Sequence, residues 1–173
     1  MPFKVPSGRK VVVAGNPIIE ELTVEGTLVK PGRLVEKGTA ATQVKGLTGP
    51  TAKPSGWVGW DNEGAHPEAS PATRDTAYTA GKKAPIVYGP GTILVGKLAS
   101  GQNVTKDAPL IPANANGELQ AAATATAVET AGSSHVTVAL AGSFPAGGMI
   151  VALAKENKDA SASALDIIVE SLI

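Results

Sequence analysis

The chain predicts an all-β fold, a small β-barrel or β-sandwich-like module with long loops and an extended N-terminal arm. Three observations carry that expectation. Residues 75–122 alternate short Val/Ile/Leu runs with Gly, Pro and Asn turn signals, as in Ile86-Val87-Tyr88 followed by Gly89-Pro90-Gly91. The 173 residues include 20 Gly and 13 Pro, too many for a helical protein. Leu22-Thr23-Val24-Glu25 alternates apolar and polar side chains, the period of a half-buried strand.

Taken in order, residues 1–16 form an arm ending in a strand, because Val11-Val12-Val13 is β-branched and lies between Arg9-Lys10 and Gly15-Asn16. A single β-domain is expected over residues 17–173. It opens with strands over 18–42, broken at Glu25-Gly26 and at Lys30-Pro31-Gly32. Residues 46–83 have little periodicity and carry Gly49-Pro50, Pro54, Pro67 and Pro71, so they are expected to be a long loop excursion. Strands then resume over 86–88, 92–98, 109–112 and 119–122, with Asn116-Gly117 suited to a hairpin because both residues tolerate positive φ. The Ala/Thr alternation of 121–128 fits a weak strand or a short helix, with the strand favoured; the runs at 136–140, 149–153 and 165–172 complete the set, and 157–163 reads as a polar loop.

There is also an internal echo. Gly32-Arg33-Leu34-Val35-Glu36-Lys37-Gly38 and Gly101-Gln102-Asn103-Val104-Thr105-Lys106-Asp107 both read G-x-x-V-x-K-[GD], which implies two similarly built β-turn units.

Composition narrows the chemistry. Lys plus Arg equals Asp plus Glu, 15 each, so the basic footprint of a nucleic-acid binder is missing at whole-chain level. The N-terminal segment is locally basic through Lys4, Arg9 and Lys10, ahead of the first acid at Glu20, and reads as an arm that docks a partner. Cysteine is absent, which excludes disulfides and thiolate metal sites, and the two histidines, His66 and His135, lie far apart. No cofactor or metal is expected. Apolar runs are too short for a membrane span, and Pro2, Pro6 and Gly8 interrupt any leader-like start. Aromatics are only 3% of the chain, so its small apolar side chains bury little area each, and burial against neighbours is one remedy.

No catalytic constellation stands out. Ser133-Ser134-His135 would point successive side chains to opposite faces of a strand. Glu20-Glu21 and Asp61/Glu63 are paired acids without a supporting pattern, and Gly89-Pro90-Gly91 and Gly147-Gly148 lead into strands rather than helices. The G-x-x-V-x-K echo is similar to turns of biotinyl and lipoyl carrier domains, but Lys82-Lys83 lacks the flanking pattern of a modified lysine. Trp57 and Trp60 flank Val58-Gly59. They either staple the excursion onto the barrel or present a contact surface for a partner.

Read together, several segments resemble the head-decoration (capsid cement) proteins of tailed phages and related viruses. They are Ile19-Glu20-Glu21-Leu22-Thr23-Val24 with the turns of 28–38, then residues 75–81, and then Val95-Gly96-Lys97-Leu98-Ala99-Ser100-Gly101-Gln102-Asn103-Val104 through Leu110. Asn116-Gly117-Glu118-Leu119 and the stretch from Val151-Ala152-Leu153-Ala154 to Ile167-Ile168-Val169 follow.

That resemblance implies a non-enzymatic β-module on the outer capsid surface of a virion, made in the host cytoplasm during assembly. It implies homotrimers that clamp neighbouring major capsid proteins, with no direct contact to nucleic acid or membrane. The arm residues Lys4, Arg9 and Lys10 are the expected capsid contacts, so removing residues 1–12 is expected to weaken binding more than folding. The alternative is a carbohydrate- or receptor-binding β-module of a virion tail or spike, based on Trp57, Trp60 and Tyr78.

Overall fold

A computed structural model describes residues 10–60, 73–122, 126–130, 137–141 and 149–173. No described residue is helical, so the all-β expectation holds. β1 (Val12–Ala14) is followed by β2 (Ile18–Glu25), β3 (Leu34–Lys37), β4 (Gln43–Gly46), β5 (Gly56–Val58) and β6 (Lys83–Tyr88). β2 pairs parallel with β4 and antiparallel with β6, β3 lies between β4 and β5, and β5 returns to β6. Five strands thus close a barrel in the order β2-β4-β3-β5-β6.

The remaining strands are β7 (Ile93–Leu98), β8 (Gln102–Val104), β9 (Pro109–Pro112), β10 (Leu119–Ala121), β11 (Thr126–Thr130), β12 (Thr137–Ala141), β13 (Ala152–Ala154), β14 (Lys158–Ala160) and β15 (Leu165–Ser171). The pairings β7–β10, β10–β9, β9–β13, β13–β15 and β15–β7 also form a closed ring. β1 is an extra strand laid antiparallel on β7. The described residues therefore build two closed sheets.

The second ring repeats the first. β2, β3, β4, β5 and β6 correspond to β7, β9, β10, β13 and β15, and in each ring the only parallel pair joins the first strand to the third (β2–β4, β7–β10). Hydrogen bonds outside the ladders match one for one. Gly32 N donates to Val58 O at 2.8 Å, and Asp107 N to Ala154 O at 2.7 Å. Ser55 N donates to Val35 O at 2.8 Å, and Val151 N to Leu110 O at 2.9 Å. Gly38 N donates to Gln43 O at 2.9 Å, and Ala113 N to Glu118 O at 2.7 Å.

The internal echo is thus real, but its register is different. Gly32 superposes on Asp107 rather than Gly101, and Val35 on Leu110 rather than Val104. The sequence form of the true repeat is Gly26-x-x-Val29-x-x-Gly32-x-x-Val35 against Gly101-x-x-Val104-x-x-Asp107-x-x-Leu110. Backbone chemistry supports that register, since Gly26 and Gly101 share a left-handed φ of 86° and 85°, and Gly32 and Asp107 of 72° and 65°.

The two barrels pack into each other through a row of side chains on β3, β5 and β6, joined in the same cluster by Leu47 and Trp60. Val35, Val58 and Ile86 face the interior of the first barrel with Leu22, Val24, Val29 and Val44. Strand alternation turns their neighbours Leu34, Trp57 and Val87 outward. These three lie opposite one another across β3, β5 and β6 and join the cluster formed by Leu94, Leu98, Leu110, Leu119, Ile167 and Val169 of the second barrel. Gly96 leaves space there, because a Cβ on it would lie 3.4 Å from Trp57 Cζ3 and 2.9 Å from Leu119 Cδ1. The Trp57 indole Nε1 donates to Ser171 Oγ of β15 at 3.1 Å, which satisfies the polar atom that this ring carries into the seam.

The structure corrects three expectations. The excursion 46–83 contains β5, a central barrel strand, and it returns Tyr78 to the first core with its N–H on Val29 O. The polar loop 157–163 contains β14, paired with β8. The arm is not wholly peripheral either, because Val11 is 2% exposed within the second cluster.

Candidate functional site

The densest polar group among the described residues is an ion network at the junction of the barrels. Arg33 at the start of β3 and Lys97 on β7 are both buried cations, and each needs an acid nearby. Arg33 Nη2 lies 2.8 Å from Asp75 Oδ1 and 3.6 Å from Glu118 Oε1. Lys97 Nζ lies 3.0 Å from Asp75 Oδ1 and 3.3 Å from Asp166 Oδ1. Arg74 Nη2 reaches Asp166 Oδ2 at 2.8 Å, and its Nη1 donates to Lys10 O at 3.3 Å. Burial pushes the Asp75 carboxyl up, but the Lys97 ammonium and the Arg33 guanidinium outweigh it and hold the group below its usual range. Every acid here faces a cation, so the network joins Lys10 ahead of β1, Arg33 ahead of β3, β7, β15 and the segment around 74–75 as a structural clasp.

Among the described residues no group of three His, Cys, Asp or Glu side chains could hold a metal ion, and no helix is long and apolar enough to cross a membrane. Ser133, Ser134, His135, Asp61, Glu63 and His66 lie outside the described residues, as do the arm residues Lys4 and Arg9. Lys10 is described and exposed, next to the clasp.

Trp57 and Trp60, weighed as partner contacts, are 0% and 9% exposed. Both sit in the second cluster. β5 ends at Val58, so the period of two does not carry on to Trp60. In this chain the indoles fill the seam between the barrels rather than present a surface.

No protein-family model and no curated protein matches this chain.

The feature that sequence reasoning missed is at the start of β2. The β2–β6 ladder, with Val24 N donating to Lys82 O, turns the backbone groups of Ile18, Glu20 and Leu22 towards β6. Those of Ile19, Glu21 and Thr23 turn the other way. Thr23 N finds Thr42 O at 2.9 Å, but β4 starts only at Gln43, so Ile19 and Glu21 have no strand beside them among the described residues. Residues 18–21 are all exposed, with Ile18 at 71% and Ile19 at 56%. Tyr88 O–H donates to Glu20 Oε2 at 3.3 Å. Burial and the Glu20 charge raise the Tyr88 phenol above its ordinary value. The sequence did carry a signal, because Ile18-Ile19-Glu20-Glu21 breaks the period of two that Leu22 to Glu25 keeps.

Proposed function

We propose that this protein is a non-enzymatic structural protein of a virion. It binds the outer surface of the capsid as a homotrimer and stabilises the shell by clamping neighbouring major capsid proteins. The observation that carries the reading is the repeated barrel, two copies of one closed sheet locked by a shared core and an ion clasp. Such a body does not deform easily, because a close-packed core resists even small changes in volume. The order of strands and turns resembles that of capsid cement proteins, which adds the shell as partner. Many copies on a symmetric lattice would let a modest interface gain strength by multivalency.

The test is co-sedimentation of the purified chain with expanded, undecorated shells of tailed phages, together with the internal pressure or temperature the shells then withstand. Binding that raises the shell's melting temperature is expected; absence of binding to every expanded shell tried overturns the reading. The glycan-binding alternative relied on Trp57, Trp60 and Tyr78, all three of which are buried, so no described ring supports it.

A further inference from the structure

We infer that the open edge of β2 is a strand-acceptor site for another polypeptide. The incoming segment runs antiparallel to β2 and carries two basic side chains followed by two apolar ones. This inference stands apart from the capsid reading, since it concerns the edge and not the shell.

The repeat itself reveals what the edge lacks. Ile19, Glu20 and Glu21 correspond to Ile93, Leu94 and Val95 of β7. In the second barrel that edge is covered by β1, with Val12 opposite Leu94, Ala14 opposite Ile93 and Val95 N donating to Val11 O at 2.8 Å. Glu21 N–H, the counterpart of Val95 N–H, points the same way and meets no described acceptor. The fold thus carries two copies of one acceptor edge, one filled and one open. An uncovered edge with apolar side chains is the standard template for adding a strand, with main-chain bonds giving affinity and side chains giving specificity.

Charge selects the occupant. Glu20 and Glu21 are exposed, and no described cation lies within ion-pair distance of either. Read antiparallel, the new strand meets Glu21 and Glu20 first and then Ile19 and Ile18, which asks for two basic residues before two apolar ones. A second copy joined edge to edge would set these acids against each other's neighbourhood, which is unfavourable. This chain's own Arg9-Lys10-Val11-Val12 has the right pattern, but Val11 is buried and Val12 is already paired on β7. Among the described residues that segment is therefore not free, and the inferred occupant is a segment of a different protein.

The test is a fluorescence anisotropy titration of the full chain with a labelled peptide reading Arg-Lys-Val-Val-Val between flanking glycines. A peptide with Glu-Glu in place of Arg-Lys is the control. Saturable binding is expected, at least tenfold tighter for the basic peptide. Ile19→Pro removes an N–H that faces the open edge and not β6, so the fold is expected to survive while binding is lost. The double change Glu20→Lys with Glu21→Lys is expected to reverse the peptide preference, and it keeps the test decisive if Ile19→Pro fails to fold. Absence of saturable binding, or the same preference in the charge-reversed variant, overturns the inference. So does sedimentation showing that the unmodified chain self-associates while the folded Ile19→Pro variant does not, since the occupant would then be a second copy.

Discussion

Asp107 occupies in the second barrel the place that Gly32 occupies in the first. Both N–H groups donate to a carbonyl of the neighbouring strand in the ring, Asp107 to Ala154 of β13 and Gly32 to Val58 at the end of β5, and both residues hold a left-handed φ. Asp107 is the only residue other than glycine with positive φ among those described. The turn explains it, because the repeated geometry demands that conformation and Asp tolerates it better than most side chains. The two sites differ in their surroundings. A Cβ on Gly32 would lie 2.7 Å from Val95 O of the other barrel, whereas Asp107 is on the outside with its carboxylate 3.5 Å from Lys155 Nζ.

Asp107→Gly is therefore expected to stabilise the protein by a few tenths to about 1 kcal/mol, as relief of the left-handed backbone exceeds the added freedom of the unfolded chain. Asp107→Val, β-branched at positive φ, should cost about 1–2 kcal/mol. Gly32→Ala should cost more than Asp107→Val, because it adds a clash with backbone. Urea denaturation of the three variants checks the order.

The indole of Trp57 takes space that a large side chain fills in the first barrel, since Gly96 is the counterpart of Leu22. Trp57→Ala is expected to cost about 3–5 kcal/mol, as for other buried aromatic truncations. Gly96→Leu alone should also destabilise by overpacking. Combined with Trp57→Ala it should cost less than the sum of the two single changes, with a coupling of about 1 kcal/mol or more. Strict additivity in denaturant melts would refute this account of the seam.

Asp75 gives the clasp its pH dependence. Its carboxyl is held below the ordinary value in the folded protein, so its contribution to stability is present above the unfolded value of about 3.9 and is lost as pH falls through the folded value. The melting temperature is expected to fall on acidification below about pH 4, and Asp75→Asn should flatten that fall. At neutral pH the same change should cost about 1 kcal/mol, a modest figure because the carboxylate is largely exposed. A melting curve series from pH 7 to about pH 2 decides it.

Removing residues 1–12 takes Val11 out of the second cluster and Val12 off β7. The expected loss of stability is about 2 kcal/mol or more from the buried valine and the vacated edge. The deletion expected to weaken binding more than folding thus also carries a folding cost, and thermal melts of the truncated chain check it.

The β class, most strands and the repeat were legible in the sequence, because Gly and Pro punctuation and a period of two are local properties of the chain. The register of the repeat was less so. G-x-x-V-x-K matched at one spacing by letters, while the backbone conformation at Gly32 and Asp107 selects another, and a left-handed φ can be met by two different residues. Strands β5 and β14 escaped because each is only three residues long and is held by partners distant in sequence. The direction of Trp60 likewise depended on where β5 stops.

The sequence by itself determined that this chain forms sheets with tight turns, since backbone preference and alternation act between near neighbours. Only the tertiary structure decided that the sheets close into two copies of one barrel, that the indole of one enters the other, and that β1 covers the edge of β7 while the start of β2 has no strand beside that edge among the described residues. Those outcomes depend on which distant backbone groups find partners, and no local pattern carries that information.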